Sequence, residues 1–231
     1  MMRRLTLAFG GVLAAAAATL GVTAPAAAQE TASVYVVHGI PDTAVDVYVD
    51  GARLLDDFQP GSAAGSVDVP RGSHEVALFP ADAADGSGSP LLSATQEVPG
   101  GGNVTLVAHL TEDGQPAVTP FANDVSSLPA GQARVVVRHT AAAPAVDVLA
   151  GGSPVISGLA NPGEKALEVP AGTISAAVAA AGTTEPVIGP ADLDLQEGTA
   201  TFVHATGSLE AGNLGLVVVT VDDLHTAEGT G

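Results

Sequence analysis

Ala44-Val45-Asp46-Val47-Tyr48-Val49-Asp50-Gly51 is the stretch that decides the fold. Val45, Val47 and Val49 alternate with Asp46, Tyr48 and Asp50. A period of two marks a strand with one apolar face. Asp50-Gly51 then supplies the two residues of a type I′ turn, where positive φ is needed at both positions. A second apolar run, Arg53-Leu54-Leu55, returns from the turn, so the stretch reads as a β-hairpin.

The same pattern recurs 101 positions later. Val34, Val36 and His38 meet Val135, Val137 and His139; Ala44 to Val47 meet Ala145 to Val148; Gly51 meets Gly152. With small changes of offset, Val69-Pro70 and Gly72 meet Val169-Pro170 and Gly172. Thr105 and Val107 meet Thr201 and Val203. A unit of about 90 residues is too long for a solenoid repeat and suits a small domain.

The residues Val36-Val37-His38, Pro41-Asp42, Val45 to Gly51 and Val69-Pro70-x-Gly72 resemble the domain-of-unknown-function 4397 family. The second copy is degenerate, with Ala142-Ala143 in place of Pro-Asp and Leu149-Ala150-Gly151 in place of Tyr-Val-Asp. The hairpin followed by a Pro-x-Gly turn is also similar to small surface β-domains of the PEGA type. The resemblance implies exported proteins, often with tandem copies. It also implies an immunoglobulin-like or transthyretin-like β-sandwich, and it implies no reaction.

Composition narrows the classes. The chain has 231 residues, no Trp and no Cys, so disulfides, thiol catalysis and Cys-held metals are excluded. Seven cationic side chains face 25 carboxylates, for a net charge of −18. Such a chain repels phosphate backbones and anionic membrane surfaces, so no nucleic-acid partner is expected. Arg3 and Arg4, the apolar run Leu5 to Val22 and the ending Ala26-Ala27-Ala28 read as a secretory signal over residues 1–28. The sequence therefore predicts a secreted protein with no membrane span after cleavage.

Short strands at near-regular spacing, parted by Gly- and Pro-containing turns, predict two tandem β-sandwich domains. The first covers residues 31–125, a linker 126–132, the second 133–224, and a disordered tail 225–231. Ala176 to Ala181 has helical propensity, but its match to His74 to Phe79 argues for a strand. The continuous apolar run Leu216 to Val219 suits a strand buried on both faces.

Five residues stand out as binding candidates: His38, Asp46, Tyr48, His139 and Asp147. His38 and His139 end the first strand of each copy, in phase with its valines. They read as metal ligands or pH-sensitive contacts, or more plainly as structural histidines bonding a neighbouring turn. Asp46 and Asp147 point away from the valines. They read as a repeated acidic contact on an exposed face, or as braces for a neighbouring loop. Tyr48 shares that face and could contact a sugar or peptide there. Asp82 to Ser89 lacks the alternating acids and closing Glu of a calcium loop. No nucleophile elbow, His-Glu-x-x-His pair or phosphate loop is present, and no metal or cofactor is expected. The leading expectation is an exported non-catalytic module that binds or decorates the cell envelope, with an envelope polymer or an extracellular protein as partner. The alternatives are a metal- or pH-responsive extracellular binder using His38 and His139, and a hydrolase without a recognisable motif.

Overall fold

The structure is a computed structural model that describes residues 30–81, 85–86 and 88–225. The expected leader, part of the Asp82 to Ser89 loop and the tail beyond His225 lie outside the described residues. Among those described, every regular element is a strand. The first copy contains β1 (Thr31–His38), β2 (Val45–Val49), β3 (Ala52–Phe58), β4 (Ser62–Pro70), β5 (Gly72–Pro80), β6 (Leu92–Val98), β7 (Asn103–Leu110) and β8 (Pro116–Ala122). The second contains β9 (Gln132–His139), β10 (Val146–Ala150), β11 (Ser153–Leu159), β12 (Gly163–Pro170), β13 (Gly172–Ala180), β14 (Pro186–Leu195), β15 (Ala200–Thr206) and β16 (Gly215–Val221). The Ala-rich segment is therefore strand β13, as the repeat argues.

Each copy is a sandwich of two four-stranded sheets. The first has orders β4-β1-β7-β8 and β3-β2-β5-β6; the second repeats them as β12-β9-β15-β16 and β11-β10-β13-β14. The pairs β1–β7 and β9–β15 are parallel, and all other pairs are antiparallel. Two such sandwiches in tandem are the fold class expected from the sequence, with an order that differs from the ABED and CFG grouping of an immunoglobulin constant domain. The β2–β3 hairpin turns on Asp50 and Gly51 with φ of 50° and 78°, the I′ geometry read from the sequence.

Cores form where valines alternate. Val34 and Val36 of β1, Val45 and Val47 of β2 and Leu106 of β7 fill the first sandwich. Val135, Val137, Val148, Val178 and Val203 fill the second. A third apolar layer lies between the sandwiches, where the sheet β4-β1-β7-β8 faces the sheet β12-β9-β15-β16. Val37, Val107 and Phe121 meet Val136, Phe202, Val217 and Val219 there. The linker takes part: Leu128 is buried, its N–H donates to the Leu224 carbonyl at 2.6 Å, and it bridges to His225. His225, expected in a disordered tail, is thus tied to the linker.

The central strands of the inner sheets are consequently covered on both faces, and β15 is buried along its whole length. Two sequence expectations change as a result. The run Leu216 to Val219 is not buried on both faces. Val217 and Val219 are covered, whereas Leu216 and Val218 are exposed, because β16 is an edge strand. The match of Thr105 and Val107 to Thr201 and Val203 is one residue out of register. Val34 pairs with Val104 and Val135 with Thr201, so Thr201 corresponds to Val104. A slip of one residue moves every side chain to the opposite face. Val107 accordingly faces the other sandwich, while Val203 faces its own core.

Candidate functional site

The two repeated histidines lie at the buried end of each first strand. His38 is fully buried, with Nε2 2.7 Å from the Thr43 carbonyl and its ring beside Phe58 at 5.7 Å between centroids. His139 repeats the bond to the Pro144 carbonyl at 3.0 Å. A carbonyl can only accept, so each Nε2 carries the proton and donates it. Each Nδ1 is then a bare acceptor, buried and without a hydrogen-bond partner. Burial pushes the His38 pKa down, against the smaller upward pull of the Thr43 carbonyl. These bonds close the turn between the first and second strands of each copy.

The two aspartates brace irregular strands. Asp46 is fully buried and Asp147 nearly so, which overturns the exposed acidic face expected from alternation. Asp46 Oδ1 accepts the Asp57 N–H at 2.9 Å, and Asp147 Oδ1 accepts the Gly158 N–H at 2.8 Å. Asp57 and Gly158 have φ of 49° and 66°, and both sit where the pairing of β3 or β11 shifts register. A left-handed residue turns its N–H out of the ladder, and the carboxylate supplies the missing acceptor. Asp147 Oδ2 also accepts the Gly182 N–H at 2.8 Å. The exposed position expected for Tyr48 is likewise corrected. It is buried, edge-on to Phe79 at 5.1 Å and beneath Gly86 of the β5–β6 loop.

The structure does not bring the five residues together. Asp46 and Tyr48 point out of the first sandwich's core and His38 lies at the end of β1, while His139 and Asp147 belong to the other sandwich. Among the described residues, the group of three acids placed to hold a cation is Asp46, Asp56 and Asp57, which includes neither histidine. Arg53 already lies there, 2.6 Å from Asp56 and 3.4 Å from Asp46. On the same sheet His74 faces Asp50 at 2.6 Å and the Pro70 carbonyl at 2.7 Å. With acceptors at both ring nitrogens the imidazolium is favoured, so the His74 pKa rises, Asp50 contributing most.

Sequence reasoning missed a polar cluster between the sandwiches. Arg138 is wholly buried, its guanidinium between Phe121 and Phe202 at 4.6 and 4.7 Å from the ring centroids. It donates to Glu164 at 2.9 Å, to Asn123 Oδ1 of the first copy at 2.8 Å and to His204 Nε2 at 3.2 Å. Burial, with Arg138 adding to it, pushes the His204 pKa down to about 3. Nearby, His109 Nε2 takes the Thr119 hydroxyl at 2.8 Å while Nδ1 bonds the Leu110 carbonyl. An imidazole beside a hydroxyl is a catalytic pairing in an open cleft. Here the imidazole is fully buried and Thr119 is half-buried, and the bond ties β7 to its neighbour β8. His109 and His204 are not equivalent: pairing puts His204 at the position of Val107. The overlooked signal was the unbroken apolar run Val135-Val136-Val137 ahead of Arg138, which marks a sheet covered on both faces.

Comparison with known proteins gives a family and little more. The family model described as Domain of unknown function (DUF4397) matches residues 32–149, covering the first sandwich and reaching β10 of the second. None of the curated proteins matches the chain. Solved structures that match include the Bacillus anthracis TIE protein. It is 10% identical over 77% of this chain and 34% of that one, with a TM-score of 0.23. The chain therefore spans about a third of that protein's length.

Proposed function

The chain belongs to the DUF4397 family of domains of unknown function, and from that premise we propose that it is an exported, non-catalytic module that binds or decorates the cell envelope. One observation carries the reading. The repeated histidines and aspartates, with Arg138 and His204, are turned inward and engaged in holding the fold. His38 and His139 close turns, Asp46 and Asp147 brace bulged strands, and Arg138, held by His204, joins the sandwiches through Asn123. What faces outward is the outer sheet of each sandwich, their connecting loops and most of the net charge of −18. Two sandwiches packed through a buried layer present those outer surfaces at a fixed spacing, which suits contact with a repetitive polymer. Export rests on the Arg3-Arg4 and Ala26-Ala27-Ala28 leader pattern. Among the described residues, no helix is long and apolar enough to cross a membrane.

The test is co-sedimentation of the chain from Gln29 onward with purified envelope of the producing cell, across a range of salt. Saturable binding supports the proposal. Absence of binding at every salt concentration overturns it and directs attention to a soluble partner in the medium.

A further inference from the structure

The two sandwiches share a frame but not a packing. Between the sheets of the first lies a space of about 20 Å³. At the same place in the second lies a cavity of about 180 Å³. Strand pairing fixes the equivalences, and the side chains account for the difference. Val49, Val76, Leu78, Leu54 and Leu106 of the first copy become Ala150, Ala176, Val178, Val155 and Val203. Three positions go the other way, Val67 to Leu167, Val98 to Leu195 and Val118 to Leu216, and the polar His74 and Gln96 become Ile174 and Leu193. Among the aliphatic positions the net loss is about four methylene-sized groups, or roughly 110 Å³ at interior packing density. A missing latch supplies the rest. In the first copy Gln96 Nε2 reaches the Val118 carbonyl at 3.4 Å and ties β6 to β8. Leu193 stands at the position of Gln96 in the second copy and has no side-chain donor for the Leu216 carbonyl.

β14 and β16 thus both line the cavity without the side-chain tie that joins β6 to β8. Its lining is aliphatic, with Asp192 the single charged side chain. Among the described residues, three of the six large apolar side chains that are exposed, Val155, Leu216 and Val218, line it, so the apolar surface runs from the interior out to solvent. An apolar cavity of this size stays dry and takes apolar guests of about six carbon atoms. Asp192 is exposed and disfavours a carboxylate head group.

We propose that the second sandwich is a binding site for the alkyl chain of a neutral aliphatic molecule, received between β14 and β16. The site is independent of where the protein resides. Its occupant is an uncharged chain of about six carbons whose polar end, where it has one, leaves beside Asp192. The first sandwich has the same frame with its interior filled, so it takes no such ligand.

The experiment is a titration of the chain from Gln29 onward with 1-butanol, 1-pentanol and 1-hexanol, read from the methyl resonances of Val178 and Val203. Saturable shifts are expected that tighten roughly fourfold per added methylene, the factor equivalent to burying one CH2. Hexanoate should bind at least tenfold more weakly than 1-hexanol, and Asp192→Asn should narrow that gap. Restoring the first copy's side chains with Ala176→Val and Val203→Leu should abolish the shifts and raise the melting temperature. Val203→Leu alone serves should the pair fail to fold. Absence of saturable shifts with 1-hexanol overturns the proposal, as does undiminished hexanol binding by either filled variant.

Discussion

Arg138 and Glu164 give opposite answers to the same operation, and that asymmetry tests the account of the layer between the sandwiches. Arg138→Met keeps a long apolar stem between Phe121 and Phe202 and removes the charge. Glu164 is 40% exposed and can rehydrate when its partner is gone. Asn123 Oδ1 still accepts the Thr105 hydroxyl at 3.1 Å, and only His204 Nε2 loses its buried donor. One unsatisfied buried acceptor costs about 1–3 kcal/mol, and relief of the guanidinium's desolvation offsets part of it. The expected loss is about 1–2 kcal/mol. Glu164→Ala touches a half-exposed residue yet leaves a fully buried cation with neutral partners only. Breaking a pair in that way costs about 3–5 kcal/mol. For a chain of this size a loss near 3 kcal/mol lowers the melting temperature by roughly 10 °C. The double variant should cost little more than Arg138→Met, because the carboxylate has no buried charge left to serve. Urea unfolding at pH 7 of the two single variants and the double reads all three values and their coupling. Should Arg138→Met prove the more damaging single change, or the two losses simply add, the buried charge is not what Glu164 answers.

Other consequences follow from the same geometry. Asp147→Ala strips two backbone N–H groups of a carboxylate acceptor and should cost about 2–3 kcal/mol. Asp46→Ala strips one and should cost about 1–2 kcal/mol; thermal unfolding that reverses this order refutes the bracing role. Folded His204 titrates at about 3 against 6.5 in the unfolded chain, so its stabilising contribution is complete above pH 6.5 and is lost as pH falls towards 3. Its full size is on the order of 4–5 kcal/mol, and His38 and His109, also lowered by burial, act in the same direction. His74, raised, acts oppositely: its contribution is present below pH 6.5 and is lost as pH rises through its folded value. Comparing the pH dependence of urea midpoints between wild type and His204→Gln isolates that histidine from the titrating carboxylates, and parallel curves would sink the assignment. Because the Val37, Val107 and Phe202 layer is shared, calorimetry should show one cooperative transition for both sandwiches; two separate transitions would mean the layer couples them weakly.

The strands and their turns were legible because period-two alternation and paired turn residues are local signals. Val45 to Val49 with Asp50-Gly51 needs no tertiary knowledge to be read. The direction of the faces was not local. Asp46 and Tyr48 alternate with core valines, and alternation by itself sends them to solvent. The bulges at Asp57 and Gly158 and the β5–β6 loop over Tyr48 turn that face into an interior. The slip of Thr105 against Thr201 has the same origin. The inner strands β7 and β15 are buried on both faces, so alternation between apolar and polar residues fixes no register and only the pairing with β1 and β9 does. The partners of Arg138 were not legible, because nothing nearby in sequence announces Phe121, Asn123 or Glu164.

Duplication explains why the two copies diverged where they did. The same sheet of each copy forms the shared layer, and within that sheet one pair of neighbours differs in kind. Val37 pairs with Val107 in the first copy, and at the equivalent place Arg138 pairs with His204 in the second. Two identical copies would place either two apolar pairs or two buried cations against each other. The second arrangement carries the desolvation penalty twice, with like charges in one layer. In a single chain each copy is free of that constraint. One sandwich keeps the apolar pair, and the other carries a cation that Asn123 of the first copy and its own Glu164 accept. A polar pair in an apolar layer stabilises less than hydrocarbon of the same shape, but it finds its acceptors in one docking only. The same freedom extends to the interiors. With the inner sheets held by their neighbour, the second sandwich tolerates Ala150, Ala176 and Val203 at positions that a sandwich standing alone would have to fill.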